Sequence, residues 1–379
     1  MLDHHPVRNG WSGNSCPRWT NRKHHVAVKK RKTMNKKETL NAGVVGLRVG
    51  REHVQGFGKS RANLLAVCDI DTAKVKAVQE EFAVPMAFAD FDEMLACEDL
   101  DVVSIALQNH LHEPFTVKAL EAGKHVLCEK PMAMNAAEAQ RMVDAAASAQ
   151  RKLMIRFNFR FQPASRVLKQ YVDAGELGDV YYVRTAWLRK RGFPGLDSWF
   201  VHKNLSGGGP LIDLGVHRLD LALWLMGYPR AVSVSAGCYS HLAKQLADRA
   251  GASVDVEDLA VAFIRLDNGA VLLLEASWAL NCGQEEIRTT LFGTKGGAEQ
   301  RYVHADEGFE VRMWKEIHGS MAEVTPTLAS KGWETAEEHF IDSILEDRES
   351  MVTGGHGLEV MKILDAIYQS AQEGREITI

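Results

Sequence analysis

The sequence predicts an α/β protein of two domains, the first built on a parallel sheet and the second on a large, mostly antiparallel one. Three observations carry this. From residue 40 to about residue 150, short apolar runs alternate with helical segments, the pattern of a parallel sheet covered on both faces. In the last third, strand-like runs follow one another without an evident helix between them, and Asp267-Asn268-Gly269 joins two of them as a hairpin. At 379 residues the chain also exceeds a typical single domain. The expected divisions are an extension over 1–38, a first domain over 39–155 and a second over 156–379.

In the first domain, Leu40-Asn41-Ala42-Gly43-Val44-Val45 is a short apolar strand that runs into Gly46, with a helix following near His53. A second strand over 64–68 ends in Asp69, and a helix over 73–82, a strand over 102–107 and a helix over 113–122 come next. A strand over 125–128 leads to a helix over 136–149, where Asn135 and Glu138 have capping-box spacing. Such sheets bind ligands beyond the carboxyl ends of their strands, which here are Gly46, Asp69, Asn109 and Glu129-Lys130. Gly46-Leu47-Arg48-Val49-Gly50 departs from G-x-G-x-x-G: Arg48 takes the second glycine position and the last glycine comes one residue early. Its context still reads as dinucleotide binding, because a strand precedes it, a helix follows, and Asp69 lies about twenty residues downstream. Asp69, with Ile70 beside it, is placed to accept hydrogen bonds from ribose hydroxyls, and its charge repels a 2′-phosphate, which favours NAD. Arg48 is placed to clasp a diphosphate, and a cationic loop also admits NADP.

The second domain opens with a strand over 180–189. Gly207-Gly208-Gly209-Pro210 then reads as a loop entering a helix over 210–226 that ends at Gly227. On a regular helix Asp213, His217 and Asp220 share one face. That is either a proton-transfer site or a buried helix whose polar groups satisfy each other. Gly215 between them costs about 0.5–1 kcal/mol relative to alanine, which points to a flat group packed on the backbone. Strands over 231–239, 259–266, 270–278 and 287–292 continue the sheet. Helices over 334–345 and 358–372 close the chain and are expected to pack back on the first domain. The uncovered sheet face predicts a homo-oligomer, a dimer or a tetramer.

Net charge is −4, but ten basic residues fall in 1–38 against two acidic ones, leaving 35 basic against 47 acidic in the body. So acidic a body argues against nucleic-acid binding. The extension lacks periodicity and an apolar core, and is expected to be disordered or spurious, with Met34 as a candidate start. Six cysteines without a C-x-x-C pair indicate reduced thiols in a cytoplasmic protein and no cysteine-built metal site. No apolar run approaches a membrane span.

The glycine turn, Asp69, Asn109, Glu129-Lys130-Pro131, Asn158-Phe159-Arg160-Phe161 and the Gly-Gly-Gly…Asp213…His217…Asp220 segment occur in an order that resembles the glucose–fructose oxidoreductase/inositol dehydrogenase/rhizopine-catabolism (Gfo/Idh/MocA) family over residues 40–379. The resemblance implies an amino-terminal Rossmann domain, a carboxyl-terminal α/β domain, and nicotinamide-dependent oxidation or reduction of a sugar or cyclitol hydroxyl. It also implies Lys130 as the lysine near the nicotinamide, Asp213 as the substrate-positioning aspartate and His217 as the acid/base.

The chemistry of these residues agrees. His217 suits removal of an alcohol proton, Lys130 suits stabilisation of the alkoxide, and no metal is needed. Arg160, Trp199, Asp213 and His217 are the expected substrate contacts, with Arg189, Lys190, Arg191, Phe200 and His202 as further pocket candidates. The alternative for Arg189–Arg191 and Trp199 is a solvated strand edge and a packing anchor. Two other functions fit the same features: a glycosidase using NAD for transient oxidation and elimination, and a catalytically inactive sugar- or dinucleotide-sensing regulator.

Overall fold

The structure, a computed structural model, describes residues 38–304, 308–328 and 332–379. The basic extension therefore lies outside the described residues, Glu38 excepted.

Six parallel strands form the first sheet: β1 (Leu40–Val45), β2 (Ala62–Cys68), β3 (Met86–Phe88), β4 (Val102–Ile105), β5 (His125–Cys128) and β6 (Leu153–Ile155). Their order is β3-β2-β1-β4-β5-β6, so the winding reverses between β1 and β4 and leaves a crevice beyond those two strand ends. β4 is buried along its whole length, as a strand covered by helices on both faces must be. The helices Gly50–Phe57, Thr72–Phe82, Asn109–Glu121 and Ala136–Ala149 make the crossovers. The third begins four residues earlier than expected, which puts Asn109 in its first turn. β3, β6 and the helix Phe91–Leu95 were too short to leave a periodic signal in the sequence.

Nine strands form the second sheet: β7 (Val180–Leu188), β8 (Ala231–Tyr239), β9 (Leu259–Leu266), β10 (Val271–Ser277), β11 (Glu286–Gly293), β12 (Gly296–Tyr302), β13 (Phe309–Ile317), β14 (Ser320–Val324) and β15 (Ile377–Thr378). The order is β14-β13-β12-β11-β7-β10-β9-β8-β15. Every pairing is antiparallel except β7 with β10. β9 and β10 are joined at Asn268-Gly269, where Gly269 takes φ +84°. A helix, His241–Ala250, does separate β8 from β9, contrary to the expected uninterrupted run of strands. Along β9, Ala260, Ala262, Ile264 and Leu266 turn inward and alternate with more exposed positions, so one face of this sheet is core.

The closing helices tie the two sheets together. In Gly354–Glu373, Asp365 accepts the Ala136 N–H at 2.8 Å, and Ser370 Oγ accepts the Ala236 N–H of β8 at 2.9 Å. Gly357 of the same helix lies where a Cβ would meet Met132 and Ile155 at 2.6 and 2.8 Å, so the helix backbone itself packs against the end of β6.

Burial, with the charges of Arg151 and Lys152, pushes the His125 imidazole down to about 4. An unfolded histidine titrates near 6.5. The unfolded chain therefore binds the extra proton first as pH falls, and stability is lost between those values. Replacing His125 by asparagine should flatten the dependence of unfolding free energy on pH by about 1.4 kcal/mol per pH unit between pH 6 and 4.5. Denaturant melts across that range measure the slope, and an unchanged slope rejects the assignment.

Candidate active site

The segment leading into the site is shaped by close contacts. Gly207 is left-handed at φ +83°, while a Cβ on Gly208 would overlap the Tyr368 hydroxyl and one on Gly209 the Glu257 carbonyl. The buried Glu257 carboxylate clamps this loop, accepting the Gly209 N–H at 2.9 Å, the Leu211 N–H at 3.1 Å and the Tyr368 hydroxyl at 3.0 Å. Leu211–Gly215 is then a wide π-turn, and Val216–Leu225 continues as regular α-helix. Such insertions rotate the side chains before them relative to those after.

This turn corrects the expectation of one polar face. Asp213 faces the first sheet: its Oδ1 accepts Lys130 Nζ at 3.1 Å, its main-chain carbonyl accepts the same ammonium at 3.0 Å, and its Oδ2 accepts the Trp278 indole N–H at 3.0 Å. His217 is 7 % exposed and packs on Phe159 and Trp187, with ring centroids 5.0 and 5.9 Å away. Among the described residues its Nδ1 is buried without a partner, which leaves Nε2 as the ring nitrogen available to a ligand. Burial and the neighbouring Lys130 charge hold the imidazole well below its ordinary range, so it is neutral at pH 7. Asp220 points instead into the core, where Arg160 grips both its oxygens at 2.6 and 2.9 Å. Arg160 also donates to the Met351 carbonyl and has no exposed surface, so it is a core anchor and not the substrate contact expected from the sequence. Gly215 lies where a Cβ would meet Leu211 at 3.1 Å and Ala276 of β10 at 3.3 Å. Close helix-on-sheet packing is by itself a reason for glycine here.

Lys130 leaves the end of β5 through a cis Lys130–Pro131 bond. His112 Nδ1 lies 2.6 Å from the Pro131 carbonyl and fixes the loop to the helix Asn109–Glu121. Glu129 turns away from the cleft into a buried ion cluster: His53 Nε2 and Arg156 each lie 3.0 Å from Oε1, and the Lys130 N–H donates to Oε2. Burial would raise the Glu129 carboxyl, but the His53 hydrogen bond and the charges of His53, Arg156 and Lys130 hold it well below the usual carboxylate range. Its role is to position Lys130, which corrects its expected place among direct cofactor contacts.

At the crevice beyond β1 and β4, Gly46 takes φ +85° and a Cβ there would overlap the Ala106 carbonyl. A Cβ on Gly50 would meet Val44 at 2.9 Å, so Gly50 serves close helix–strand packing. The helix Gly50–Phe57 has no side-chain cap, which leaves its first N–H groups for an anion. Asp69 braces the turn by accepting the Leu47 N–H at 2.7 Å and the Asp71 N–H at 2.9 Å. Arg48, Val49 and Ile70 are exposed, Ile70 by 92 %. Leu47 is buried. The Asn109 amide donates to the Ser206 carbonyl at 2.7 Å, joining the first domain to the site loop. Across from Arg48, Trp199 stacks on Phe200 with centroids 3.9 Å apart, and the three residues share a pocket of about 480 Å³. The turn, the uncapped helix and the exposed cation suit a dinucleotide diphosphate.

Sequence reasoning missed Trp278, Phe159, Trp187, Glu257 and His112. Each acts through tertiary contact; of the five, Phe159 alone lies in one of the sequence motifs, and nothing in that segment marks its ring as the wall of His217. Replacing Trp278 by phenylalanine removes the donor to Asp213 while keeping an apolar ring. A lost bond to a charged acceptor is worth about 1.5–3 kcal/mol, and turnover should fall roughly tenfold or more. Steady-state kinetics beside a thermal melt separate this effect from unfolding.

Residues 40–157 match the sequence profile described as "Oxidoreductase family, NAD-binding Rossmann fold", and residues 169–379 match the "Oxidoreductase family, C-terminal alpha/beta domain". The D-glucoside 3-dehydrogenase of Escherichia coli K12 is 33% identical over 83% of this chain and 90% of its own length. The myo-inositol 2-dehydrogenase of Thermotoga maritima is 29% identical over 68% of this chain and 74% of its own. Among solved structures, the aldose-aldose oxidoreductase of Caulobacter crescentus, complexed with glycerol, superimposes with a TM-score of 0.78 at 30% identity, covering 90% of this chain and all of that one. With both halves matched and the doubly wound and nine-stranded sheets in place, the chain belongs to the Gfo/Idh/MocA family of NAD-binding oxidoreductases.

Proposed function

We propose that this protein transfers hydride between NAD and a hydroxyl or carbonyl carbon of a sugar, cyclitol or related polyol, with Lys130, Asp213 and His217 as its catalytic residues. One observation carries the reading: Lys130, at a strand end of the dinucleotide-binding sheet, meets Asp213 at 3.1 Å, and the buried His217 imidazole one helical turn on is held below its ordinary range by burial and by the Lys130 charge. The relatives named above act on a glucoside, an inositol and aldoses, which supports a polyhydroxylated substrate.

The nicotinamide, when bound, supplies the hydride acceptor or donor. Gly46, Leu47, Arg48, Val49 and Gly50 would hold its diphosphate, and Asp69 and Ile70 the adenosine end. A second lone pair on each Asp69 oxygen is open to ribose hydroxyls, and the negative charge favours NAD over NADP. Asn109 keeps the site loop against this cleft. His217 takes the hydroxyl proton on Nε2 during oxidation and returns it during reduction. The Lys130 ammonium stabilises the alkoxide. Asp213 fixes that ammonium and presents a carboxylate to a neighbouring hydroxyl. Trp199 supplies an aromatic wall near the cofactor.

The second sheet's outer face, with Tyr182 stacked on Phe292 and with Tyr239 and Phe263 beside a shallow apolar groove, supports a homo-oligomer formed through it. The described cysteines are all free, in keeping with a cytoplasmic location.

Calorimetric titration should show NADH binding more tightly than NADPH, and Asp69→Ala should narrow the gap. His217→Ala should cut turnover roughly 100-fold or more with NADH affinity retained. Because the imidazole is held below its ordinary range, the acid limb of kcat/KM should fall below pH 6.5. An acid limb at or above pH 6.5, or near-normal turnover of the alanine variant, removes His217 from the mechanism.

A further inference from the structure

One transverse row of residues crosses the second sheet on the face that carries the site. Ala276 of β10 supports the site helix at Gly215 and is paired with Trp187 of β7. Trp187 is paired in turn with Ile287 of β11. Arg288 pairs with Arg301, which sets Tyr302 of β12 opposite Ile287. Cross-strand partners share a face, so this row leads from beneath His217 outward along the sheet. Beyond Trp187 it floors a groove of about 600 Å³, within the roughly 300–1,000 Å³ usual for small-molecule sites.

The walls differ from those of the reacting centre. Lys130, Asp213 and His217 do not line the groove; Trp187, whose ring centroid is 5.9 Å from that of His217, is the shared boundary. Ile287 and Tyr302 give an apolar and aromatic floor, and Arg189, Glu285 and His304 give a polar rim. The Arg189 guanidinium lies 5.2 Å from the Trp187 ring centre, over its face. A flat aromatic floor with donors and acceptors at its edge is the chemistry that holds a pyranose ring, apolar on one face and ringed with hydroxyls.

Resting on the dehydrogenase reading, the geometry points to a second sugar-binding subsite in this groove, so that the preferred substrate is a glycoside or disaccharide whose reacting ring sits at His217 and whose second ring lies on Ile287 and Tyr302. The groove makes no contact with the reacting carbon. It acts by holding the far end of the substrate, and this binding is expressed in kcat/KM.

The test compares D-glucose, cellobiose and maltose, with kcat/KM measured using NAD and disaccharide binding measured by calorimetry in the presence of NADH. The full chain is compared with Ile287→Trp, which fills the groove, and Tyr302→Ala, which strips its floor. At least one disaccharide should exceed glucose about tenfold in kcat/KM, and both variants should erase that advantage while leaving glucose within about twofold. Disaccharides no better than glucose, or variants that depress glucose and disaccharide equally, overturn the subsite. Turnover of glucose with no disaccharide binding also overturns it, yet leaves the dehydrogenase reading standing. Disaccharide binding abolished by Ile287→Trp, without turnover of any of these sugars, supports the groove and counts against their oxidation in the dehydrogenase reading. If none of these sugars binds or reacts, the subsite is overturned and the dehydrogenase reading narrows to a cyclitol or polyol.

Discussion

The ion pair between Lys130 and Asp213 is the interaction on which the site depends, because it joins a strand end of one sheet to a helix packed on the other. Both side chains are mostly buried, at 18 % and 17 % exposure. A pair so desolvated is favourable only when further hydrogen bonds satisfy its remaining lone pairs and protons. Each partner has such support. Lys130 also donates to the Asp213 carbonyl, and its own backbone is fixed by Glu129 and, through Pro131, by His112. Asp213 has the Trp278 indole on its other oxygen, while the turn that carries it is clamped by Glu257. The pair is thus the meeting point of two separately braced frames.

This arrangement sets the electrostatics of His217. Burial of the imidazole in a pocket walled by Phe159 and Trp187, and after it the cation kept in place nearby, favours the neutral ring at physiological pH. Arg218, the next residue, is wholly buried on the Phe159 ring at 4.5 Å, and burial pushes its guanidinium down to about 9. The same stretch therefore holds a neutral imidazole and a buried guanidinium, both in contact with one phenylalanine. The ion cluster of Glu129, His53, Arg156 and Glu337 lies behind Lys130, so the acid and base charges nearest the site are already spent on each other.

Much of the fold was legible because it rests on periodicity. The strands over 125–128, 231–239 and 259–266 and the helix over 136–149 stand where their apolar patterns place them. Elements too short to show a period, such as β3 and β6, were not legible, nor was the helix His241–Ala250, whose buried stripe rests on Ala243 and Ala247 alone. In the site, the spacing of Asp213, His217 and Asp220 assumed a regular helix. The π-turn over Leu211–Gly215 breaks that assumption, and the clamp that accompanies it comes from Glu257, which is remote in sequence. Arg160 and Glu129 were misassigned for a related reason: a charged residue in a motif looks the same whether it faces a ligand or a buried counter-ion. Only the partners, Asp220 for one and His53 with Arg156 for the other, decide which.

The glycine turn shows how a departure from a motif can preserve its physics. A G-x-G-x-x-G turn needs one residue with positive φ, one point of close backbone approach and one place where the helix packs on the strand. Gly46 and Gly50 meet the first and last of these needs, since a Cβ at either would strike Ala106 or Val44. Arg48 sits at the middle position, where bulk should impede the diphosphate. But the side chain is exposed and lines the pocket it shares with Trp199 and Phe200. Bulk pointed outward leaves the backbone accessible, and the charge it brings is of the sign a diphosphate requires. Asp69, bound to the Leu47 N–H, holds the turn from the other side and opposes that positive charge. The turn thus carries a cation at its middle and a carboxylate at the end of β2, an arrangement that suits a ligand anionic in the middle and hydroxylated at one end.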